Sequence, residues 1–106
     1  MIPEITPTEL DSKLKQKDEL ILLDVRTLNE VIMSKIDGSI HIPMNEIPER
    51  LGELNKNKEI IVQCKSGKRS AKVCEFLIKN EFKNVKNLDG GILAWSREID
   101  PTIIVF

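Results

Sequence analysis

The sequence predicts a doubly wound α/β fold, with a central parallel sheet of about four to five strands and helices on both faces. Four short apolar runs, rich in β-branched residues, indicate strands that are buried on both faces, as in a parallel sheet. Helix-like segments lie between these runs, and the connecting loops are short. The runs occupy residues 20–25, 39–43, 59–64 and 84–88.

The first helix-like segment, residues 6–17, has a recognisable start. Thr6 or Thr8 can act as the N-cap, Pro7 suits the first turn, and Glu9 follows closely. The strongest helix prediction covers residues 69–82, where apolar side chains recur at helical spacing. These side chains are Ala71, Cys74, Leu77 and Ile78.

Two shorter helices are predicted elsewhere. Residues 45–54 form a brief helix that Pro48 and Gly52 limit. Residues 90–99 form the last helix, which follows a Gly-Gly turn.

The length and composition fit a single domain. A chain of 106 residues can bury a modest core, and we expect one domain over residues 1–106 with its core at about residues 4–100. The apolar tail, residues 101–106, could dock on that core or cover a neighbouring molecule. No run of about 18 apolar residues is present, so no membrane segment is expected. The N-terminal residues lack a basic start and an apolar signal core, so we expect a cytoplasmic protein.

Charge and cysteine content exclude several classes of function. Residues 1–55 hold 11 acidic and 6 basic residues, a net charge of −5, whereas residues 56–106 hold 6 acidic and 10 basic residues, a net charge of +4. This bias is too weak for a nucleic-acid interface, which needs a clustered basic stripe. Cys64, Cys74 and the one histidine, His41, cannot make a spaced four-ligand zinc site, so no metal or other cofactor is expected. Without a secretion signal no disulfide framework is expected, and at least one thiol should be free.

The stretch VQCKSGKRSAK, residues 62–72, is the candidate site. Cys64 follows a predicted parallel strand at its carboxyl end, the edge where ligands bind in such sheets. The permissive backbone of Gly67 lets the next residues curl, so that backbone N–H groups and a helix N-terminus form an anion cradle. The charges of Lys65, Lys68 and Arg69 add to it, and such surroundings favour the nucleophilic thiolate.

The second cysteine has the opposite setting. Cys74 falls in the middle of a helix on its apolar face, where core packing is expected. His41 lies in a predicted strand far from Cys64 in sequence, so a Cys–His acyl-transfer site has little support. An anion cradle around Cys64 leaves two chemistries open: attack on a phosphate ester, or transfer of a sulfane sulfur through a persulfide.

The chain resembles the rhodanese family. Matching pieces occur in the family's order and spacing over roughly residues 4–100. They are LLDVR (22–26), Glu30, IDGSIHIP (36–43), VQCKSGKRSA (62–71) and NLDGGILAW (87–95). The resemblance implies a sulfurtransferase in which Cys64 takes a sulfane sulfur from thiosulfate or a persulfide and passes it to cyanide or a thiol. A sulfur-carrier protein is also a conceivable acceptor, while no nucleic acid or membrane is expected as a partner.

The resemblance also assigns the site residues. Cys64 is the nucleophile, and the loop that follows holds the charge of the persulfide and attracts the anionic donor. The loop residues are Lys65, Ser66, Gly67, Lys68, Arg69 and Ser70. Asp24 and Arg26 match supporting positions at the end of the second predicted strand, where a buried ion pair would brace the loop.

Departures from the family pattern cluster away from this loop. They are Val31, Ser34, Lys35 and Asp37, at positions where the family often has an aromatic, Gly, His and Pro. They affect local packing and any partner surface there. We interpret the segment VIM, residues 31–33, as helix core, with a membrane or partner surface as the alternative.

Loop length separates the two chemistries. Cysteine-dependent phosphatases have a Cys-x5-Arg pattern, whereas this chain has Cys64-x4-Arg69, one residue fewer. A smaller ring of amides suits the terminal sulfur of a persulfide better than a phosphoryl group. The sequence therefore favours a sulfurtransferase over a phosphatase or arsenate reductase, and both over a non-catalytic regulatory module, since relatives of that third kind usually lack the cysteine.

Overall fold

A computed structural model describes residues 2–106 and confirms the predicted fold class. Its centre is a parallel five-stranded sheet with the strand order β1-β5-β4-β2-β3. The strands are β1 (Glu4–Ile5), β2 (Leu20–Asp24), β3 (Ile40–His41), β4 (Glu59–Gln63) and β5 (Val85–Leu88). Four of them overlap the predicted runs, and β1 was not predicted because two residues give no readable pattern.

The helices cover both faces of the sheet, as predicted. They are α1 (Pro7–Lys15), α2 (Leu28–Met33), α3 (Lys68–Lys79) and α4 (Gly91–Glu98). On one face α1 and α4 bury Leu10, Ile92 and Trp95, and on the other face α3 buries Val73 and Leu77. Two separate core clusters thus lie on either side of β4, the strand that ends just before the candidate nucleophile.

Reciprocal caps fix the starts of α1 and α2. Thr6 is the N-cap of α1: its Oγ1 accepts the N–H of Glu9 at 3.1 Å, and the Glu9 carboxylate accepts the N–H of Thr6 at 2.9 Å. Thr27 and Glu30 make the same pair of bonds at the start of α2. A cap of this kind is worth about 1 kcal/mol.

Residues 45–54 do not form the predicted α-helix. Two 3₁₀ turns, Met44–Glu46 and Pro48–Glu53, occupy this region. Pro48 has no N–H to continue a helix, and Arg50 has a non-helical backbone with φ −117°. Pro48, which was expected to limit the helix, therefore lies at the break between the two turns, and Arg50 adds a second irregularity that was not expected.

The interpretation of residues 31–33 as helix core is wrong. They do belong to a helix, α2, but none of the residues of α2 is buried, and the side chains of Ile32 and Met33 are largely exposed. Polar contacts hold α2 in place instead, because the Arg26 guanidinium donates to the carbonyl oxygens of Glu30 and Ser34 at 3.4 Å and 2.7 Å.

The C-terminal tail docks on the body of the chain. Ile103 and Val105 pack against the core cluster beneath α1 and α4, and the Ser96 hydroxyl donates to the Ile103 carbonyl. Ile104 and Phe106 alternate with them and point their side chains outward. Among residues 2–106, no helix has the length and apolar content needed to cross a membrane.

Candidate active site

Cys64 lies where β4 ends, and a sharp turn leads directly into α3. Gly67 makes that turn with φ +104°, a left-handed conformation that L side chains rarely adopt. The carbonyl oxygens of Cys64 and Lys65 accept the backbone N–H groups of Ile92 and Leu93 at 2.9 Å and 3.1 Å. The start of α4 therefore binds the carbonyl groups of the loop. The backbone N–H groups of the loop remain available to hydrogen-bond to Sγ of Cys64.

The Gly-Gly turn that the sequence places before α4 has a steric reason. A Cβ on Gly91 would lie 2.5 Å from the carbonyl oxygens of both Cys64 and Lys65, a distance that real Cβ atoms do not reach. Gly91 also has φ +62°. Only glycine at this position lets α4 approach the Cys64 loop so closely.

Several donors converge on the sulfur of Cys64. The backbone N–H of Gly67 lies 3.1 Å from Sγ and that of Ser70 lies 3.4 Å away. The Ser70 hydroxyl oxygen lies 3.2 Å from Sγ. The Cys64 residue is only 1% exposed, so these groups replace water around the sulfur.

A buried polar chain continues from Ser70. Its Oγ lies 2.5 Å from Oδ1 of Asn87, and the Asn87 amide in turn donates to the Gly67 carbonyl at 3.0 Å. The hydroxyl has one proton, so it can donate to Asn87 while the sulfur is a thiol and rotate to donate to the sulfur when that is a thiolate. Asn87, on β5, thereby holds the loop in shape from a neighbouring strand.

These donors determine the protonation of Cys64. Burial by itself raises the pKa of the thiol, but hydrogen bonds from Ser70, Gly67 and Ser66 outweigh that effect and lower the pKa below its usual value. The predicted direction of this shift agrees with the structure. Among the groups that lower it, the Ser70 hydroxyl has the largest effect, followed by the backbone N–H groups of Ser70, Gly67 and Ser66, which form the expected anion cradle.

Cys74 has no such environment. It is fully buried within α3, as the sequence predicted, and burial raises the pKa of its thiol to about 12. A negative charge on Cys64 adds to this increase. Cys74 is therefore an inert thiol at neutral pH.

The three cations of the loop are not equivalent. The Arg69 guanidinium makes two hydrogen bonds with the Glu30 carboxylate, at 2.7 Å and 2.9 Å. Hydrogen bonds from Arg69 lower the pKa of Glu30 to about 2, and burial opposes that shift only in part. The charge of Arg69 is thus offset, while Lys65 and Lys68 form no ion pair within residues 2–106.

From the sequence, only the family pattern could have linked Glu30 to the Cys64 loop. Glu30 lies 39 residues from Arg69, and no spacing rule connects the two. Asn87 was likewise part of a matching piece without an assigned role. The structure brings both to the Cys64 loop.

Asp24 and Arg26 form the buried ion pair that was expected. Arg26 Nη2 and Nε donate to the Asp24 carboxylate at 2.8 Å and 3.0 Å, and both residues are buried. The same guanidinium binds the end of α2 at the Ser34 carbonyl. The side-chain hydrogen bonds of the pair therefore reach α2, which carries Glu30, and not the Cys64 loop.

His41 hydrogen-bonds to Arg26, a member of the same ion pair. Its Nε2 lies 2.7 Å from the Arg26 carbonyl oxygen, so this ring nitrogen carries a proton and donates it. Within residues 2–106, no group of three or more His, Cys, Asp or Glu side chains is arranged to hold a metal ion.

A shallow cavity of about 290 Å³ opens beside Arg69. Its walls come from the end of β2, the start of α2 and the segment before the first 3₁₀ turn. The lining residues are Val25, Arg26, Thr27, Pro43, Met44, Asn45 and Arg69. It offers a small ligand a mostly apolar approach next to the loop.

Comparison with known proteins gives a consistent result. The family model described as "Rhodanese-like domain" matches residues 6–98. The chain is 42% identical over 100 residues to "Putative sulfurtransferase YtwF" of Bacillus subtilis, covering 94% of this chain and 96% of that protein. It is 34% identical over 103 residues to a sulfurtransferase of Allochromatium vinosum, covering 97% of this chain and 96% of that protein.

A solved structure and a longer relative are also similar to the chain. The crystal structure of a rhodanese-like domain protein from Staphylococcus aureus superimposes with a TM-score of 0.86 at 36% identity, covering 99% of both chains. The "Putative sulfur carrier protein YrkF" of Bacillus subtilis is 38% identical over 95 residues, which cover 90% of this chain but 51% of that protein. In that relative, a region like this chain is joined to a further segment.

Proposed function

The chain belongs to the rhodanese-like domain family, and we propose that it is a sulfurtransferase that carries a sulfane sulfur on Cys64. The observation that carries the proposal is the convergence of the Gly67 and Ser70 N–H groups and the Ser70 hydroxyl on Sγ. These donors lower the pKa of the thiol, so a nucleophile forms without a histidine base.

The first half-reaction loads the cysteine. The Cys64 thiolate attacks the outer sulfur of thiosulfate, the S–S bond of the donor breaks, and sulfite leaves with the electron pair of that bond. Cys64 then holds a persulfide whose terminal sulfur is negative. A persulfide donor reacts in the same way and leaves as a thiolate.

The second half-reaction removes the sulfane sulfur from Cys64. Cyanide or a thiolate attacks the terminal sulfur, the S–S bond of the persulfide breaks, and the Cys64 thiolate is restored. The products are thiocyanate or a new persulfide on the acceptor, and no electron donor from outside is required. Two successive displacements of this type are expected to give ping-pong kinetics.

Each loop residue has a proposed part in these steps. The amides of Ser66, Gly67 and Ser70 stabilise the negative sulfur, and Lys65 and Lys68 attract the anionic donor because no carboxylate in residues 2–106 pairs with them. Arg69, held by Glu30, fixes the position of the loop relative to α2. Asp24 and Arg26 support the same helix from its other end.

Phosphatase or arsenate reductase activity has less support. Besides the shorter loop, the Arg69 guanidinium uses two of its donors on Glu30 rather than pointing them at an oxyanion. We expect negligible hydrolysis of an aryl phosphate. Inserting one glycine between Gly67 and Lys68 is expected to permit weak phosphate or arsenate binding, and robust phosphatase activity in the unaltered protein would reverse this ranking.

We propose a cytoplasmic location, because that compartment keeps thiols such as Cys64 reduced. Both cysteines of the chain are free thiols. A natural donor could be thiosulfate, glutathione persulfide or a cysteine-desulfurase persulfide, and a sulfur-carrier protein is a candidate acceptor beside small thiols.

The direct test is intact mass spectrometry of the purified protein before and after incubation with thiosulfate. The expected result is a gain of one sulfur atom, which cyanide removes. Cys64→Ser is the matched control and should show no gain, whereas Cys74→Ser should show the same gain as the parent. Absence of any gain with thiosulfate and with glutathione persulfide alike would overturn the proposal.

A further inference from the structure

The most exposed large apolar side chains of the described residues are not scattered. Five of them are between 58% and 70% exposed, and all five lie on α2 or in the C-terminal tail. The next most exposed large apolar side chain is only 45% exposed. We name these five the α2–tail patch: Leu28, Ile32, Met33, Ile104 and Phe106.

The two parts of the patch meet next to the candidate active site. Met33 from α2 and Phe106 from the tail line one small cavity of about 190 Å³, together with Glu30. Glu30 in turn holds Arg69 of the Cys64 loop through two hydrogen bonds. This shared cavity and the Glu30–Arg69 ion pair thus place the apolar patch beside the Cys64 loop.

Exposed positive charge lies on α3, where the patch approaches the Cys64 loop. Lys68, the first residue of α3, is exposed next to Arg69 and forms no ion pair within residues 2–106. Glu30, the carboxylate that links the patch to the loop, is already neutralised by Arg69. Lys35, just after the end of α2, lies instead in a cavity that Asp37, Glu98 and Asp100 also line.

We propose that the α2–tail patch is the docking surface for an acceptor protein that presents its thiol on a segment with apolar and acidic side chains. The inference rests on the proposed sulfur transfer. The apolar side chains of the acceptor cover Ile32, Met33 and Phe106, and its carboxylates face Lys68. Its thiolate then attacks the terminal sulfur of the Cys64 persulfide, the S–S bond breaks, and the acceptor leaves as a persulfide while the Cys64 thiolate is restored.

A membrane fits less well as the occupant. A membrane surface requires a longer amphipathic helix, whereas α2 has six residues and is about 9 Å long. An acidic protein segment satisfies both the apolar and the charged groups. The region in YrkF that matches this chain is joined to a further segment in one polypeptide, which is consistent with a protein-borne acceptor.

The test measures how fast the loaded protein discharges its sulfur to defined thiols. The first probe is a synthetic peptide with one cysteine flanked by leucine and aspartate residues. The second peptide has serine in place of each leucine, and dithiothreitol is the small-thiol probe. The variants are the double substitution Ile32→Ser with Met33→Ser, and Phe106→Ser in the tail. Ile78→Ser on α3 is the matched control, because Ile78 is an exposed apolar helix residue outside the patch.

The expected result is a loss that depends on both the patch and the peptide. The double variant and Phe106→Ser should each lower the rate constant for the leucine peptide by about ten-fold. The rates with the serine peptide and with dithiothreitol should stay within about two-fold of the parent. The Ile78→Ser control should match the parent with all three probes.

Several outcomes would overturn the inference, and they are distinguishable from failure of the proposed function. If no protein takes up sulfur, or none discharges it to dithiothreitol, the proposed function fails. If discharge to dithiothreitol is normal but the two peptides react equally, the docking surface alone fails. Equal losses with all probes would indicate a purely structural role for the patch. A dimer that the double variant dissociates, or vesicles of phosphatidylglycerol that bind the parent and not the double variant, would assign the patch to another occupant.

Discussion

Cys64 and Cys74 lie in the same core cluster and are both buried, yet their thiols have opposite properties. The pKa of Cys64 is lowered by its hydrogen bonds against the effect of burial, whereas burial raises the pKa of Cys74 to about 12. The difference comes from the hydrogen-bond donors around each sulfur, the Ser70 hydroxyl and the backbone amides. In the Cys64 loop, amides have no helical partner and point at Sγ, while Cys74 sits in the middle of α3, where the amides bond within the helix.

This contrast indicates that burial alone does not set the direction in which the pKa of a thiol shifts. Free donors can replace water around a buried sulfur and make its anion stable, and without them burial makes the thiol inert. The strand-to-helix transition supplies such donors, and the interior of a helix does not. The predictions below test this explanation, beginning with the largest expected effect.

The first prediction replaces each sulfur in turn. Cys64→Ser should abolish thiocyanate formation from thiosulfate and cyanide, because it removes the atom that carries the transferred sulfur. Cys74→Ser should retain most of the activity, with a loss of stability of about 1–3 kcal/mol from a hydroxyl in the apolar core. Turnover numbers and thermal unfolding of the two variants check this, and turnover retained by Cys64→Ser would contradict the assignment.

The second prediction concerns a substitution outside the Cys64 loop that displaces the loop without changing its sequence. Gly91→Ala would place a Cβ 2.5 Å from the carbonyl oxygens of Cys64 and Lys65, so the loop or α4 has to shift. We expect kcat/KM to fall at least ten-fold. Gly52→Ala is the control, because a Cβ there meets nothing within 4 Å. If Gly91→Ala has normal kinetics, close support of the loop by α4 is not needed for activity.

A third prediction removes one donor to the sulfur. Ser70→Ala deletes the hydroxyl 3.2 Å from Sγ and leaves the backbone N–H in place. The pKa of Cys64 should rise and kcat/KM at neutral pH should fall by about ten-fold, since a hydrogen bond to a charged group is worth roughly 1.5–3 kcal/mol. Ser66→Ala, which removes an exposed hydroxyl of the same loop, should change little. Identical pH–rate profiles for Ser70→Ala and the parent would exclude a role for the hydroxyl.

The smallest effect is expected from the lysines. Lys65→Gln with Lys68→Gln should raise the apparent KM for thiosulfate a few-fold at low ionic strength and flatten its dependence on salt, with little change in kcat. Lys79→Gln with Lys83→Gln is the control for overall charge, because both residues are exposed and lie beyond the loop. An equal effect of the two pairs would show that only net charge matters.

Sequence patterns were sufficient to predict most of the fold. The buried strands β2 and β4 are continuous apolar runs, and α3 has apolar residues at helical spacing, so both kinds of element were predicted close to their observed bounds. The failures have physical reasons. β1 is two residues long, residues 45–54 form 3₁₀ turns because of Pro48 and Arg50, and α2 is held by Arg26 rather than by an apolar face.

For the candidate site too, local sequence patterns predicted only part of what the structure shows. The proposed roles of Cys64 and its loop follow from local sequence, because a strand end, Gly67 and a helix start are adjacent in the chain. The partners that hold the loop come from elsewhere: Glu30 from α2 and Asn87 from β5. No spacing rule connects residues 17 to 39 positions apart, and only the fold brings them together.

The most direct test of the central claim is the pH profile of iodoacetamide labelling at Cys64 in the folded protein and in the denatured chain. Each profile is normalised to its own plateau, so that limited access to the buried sulfur does not affect the midpoint. The Cys74→Ser variant makes the labelling specific to Cys64. Because the pKa of Cys64 is lowered in the fold, the thiolate forms at a lower pH, and the folded midpoint should lie below the denatured one. A folded midpoint at or above the denatured value would mean that the loop does not stabilise the thiolate.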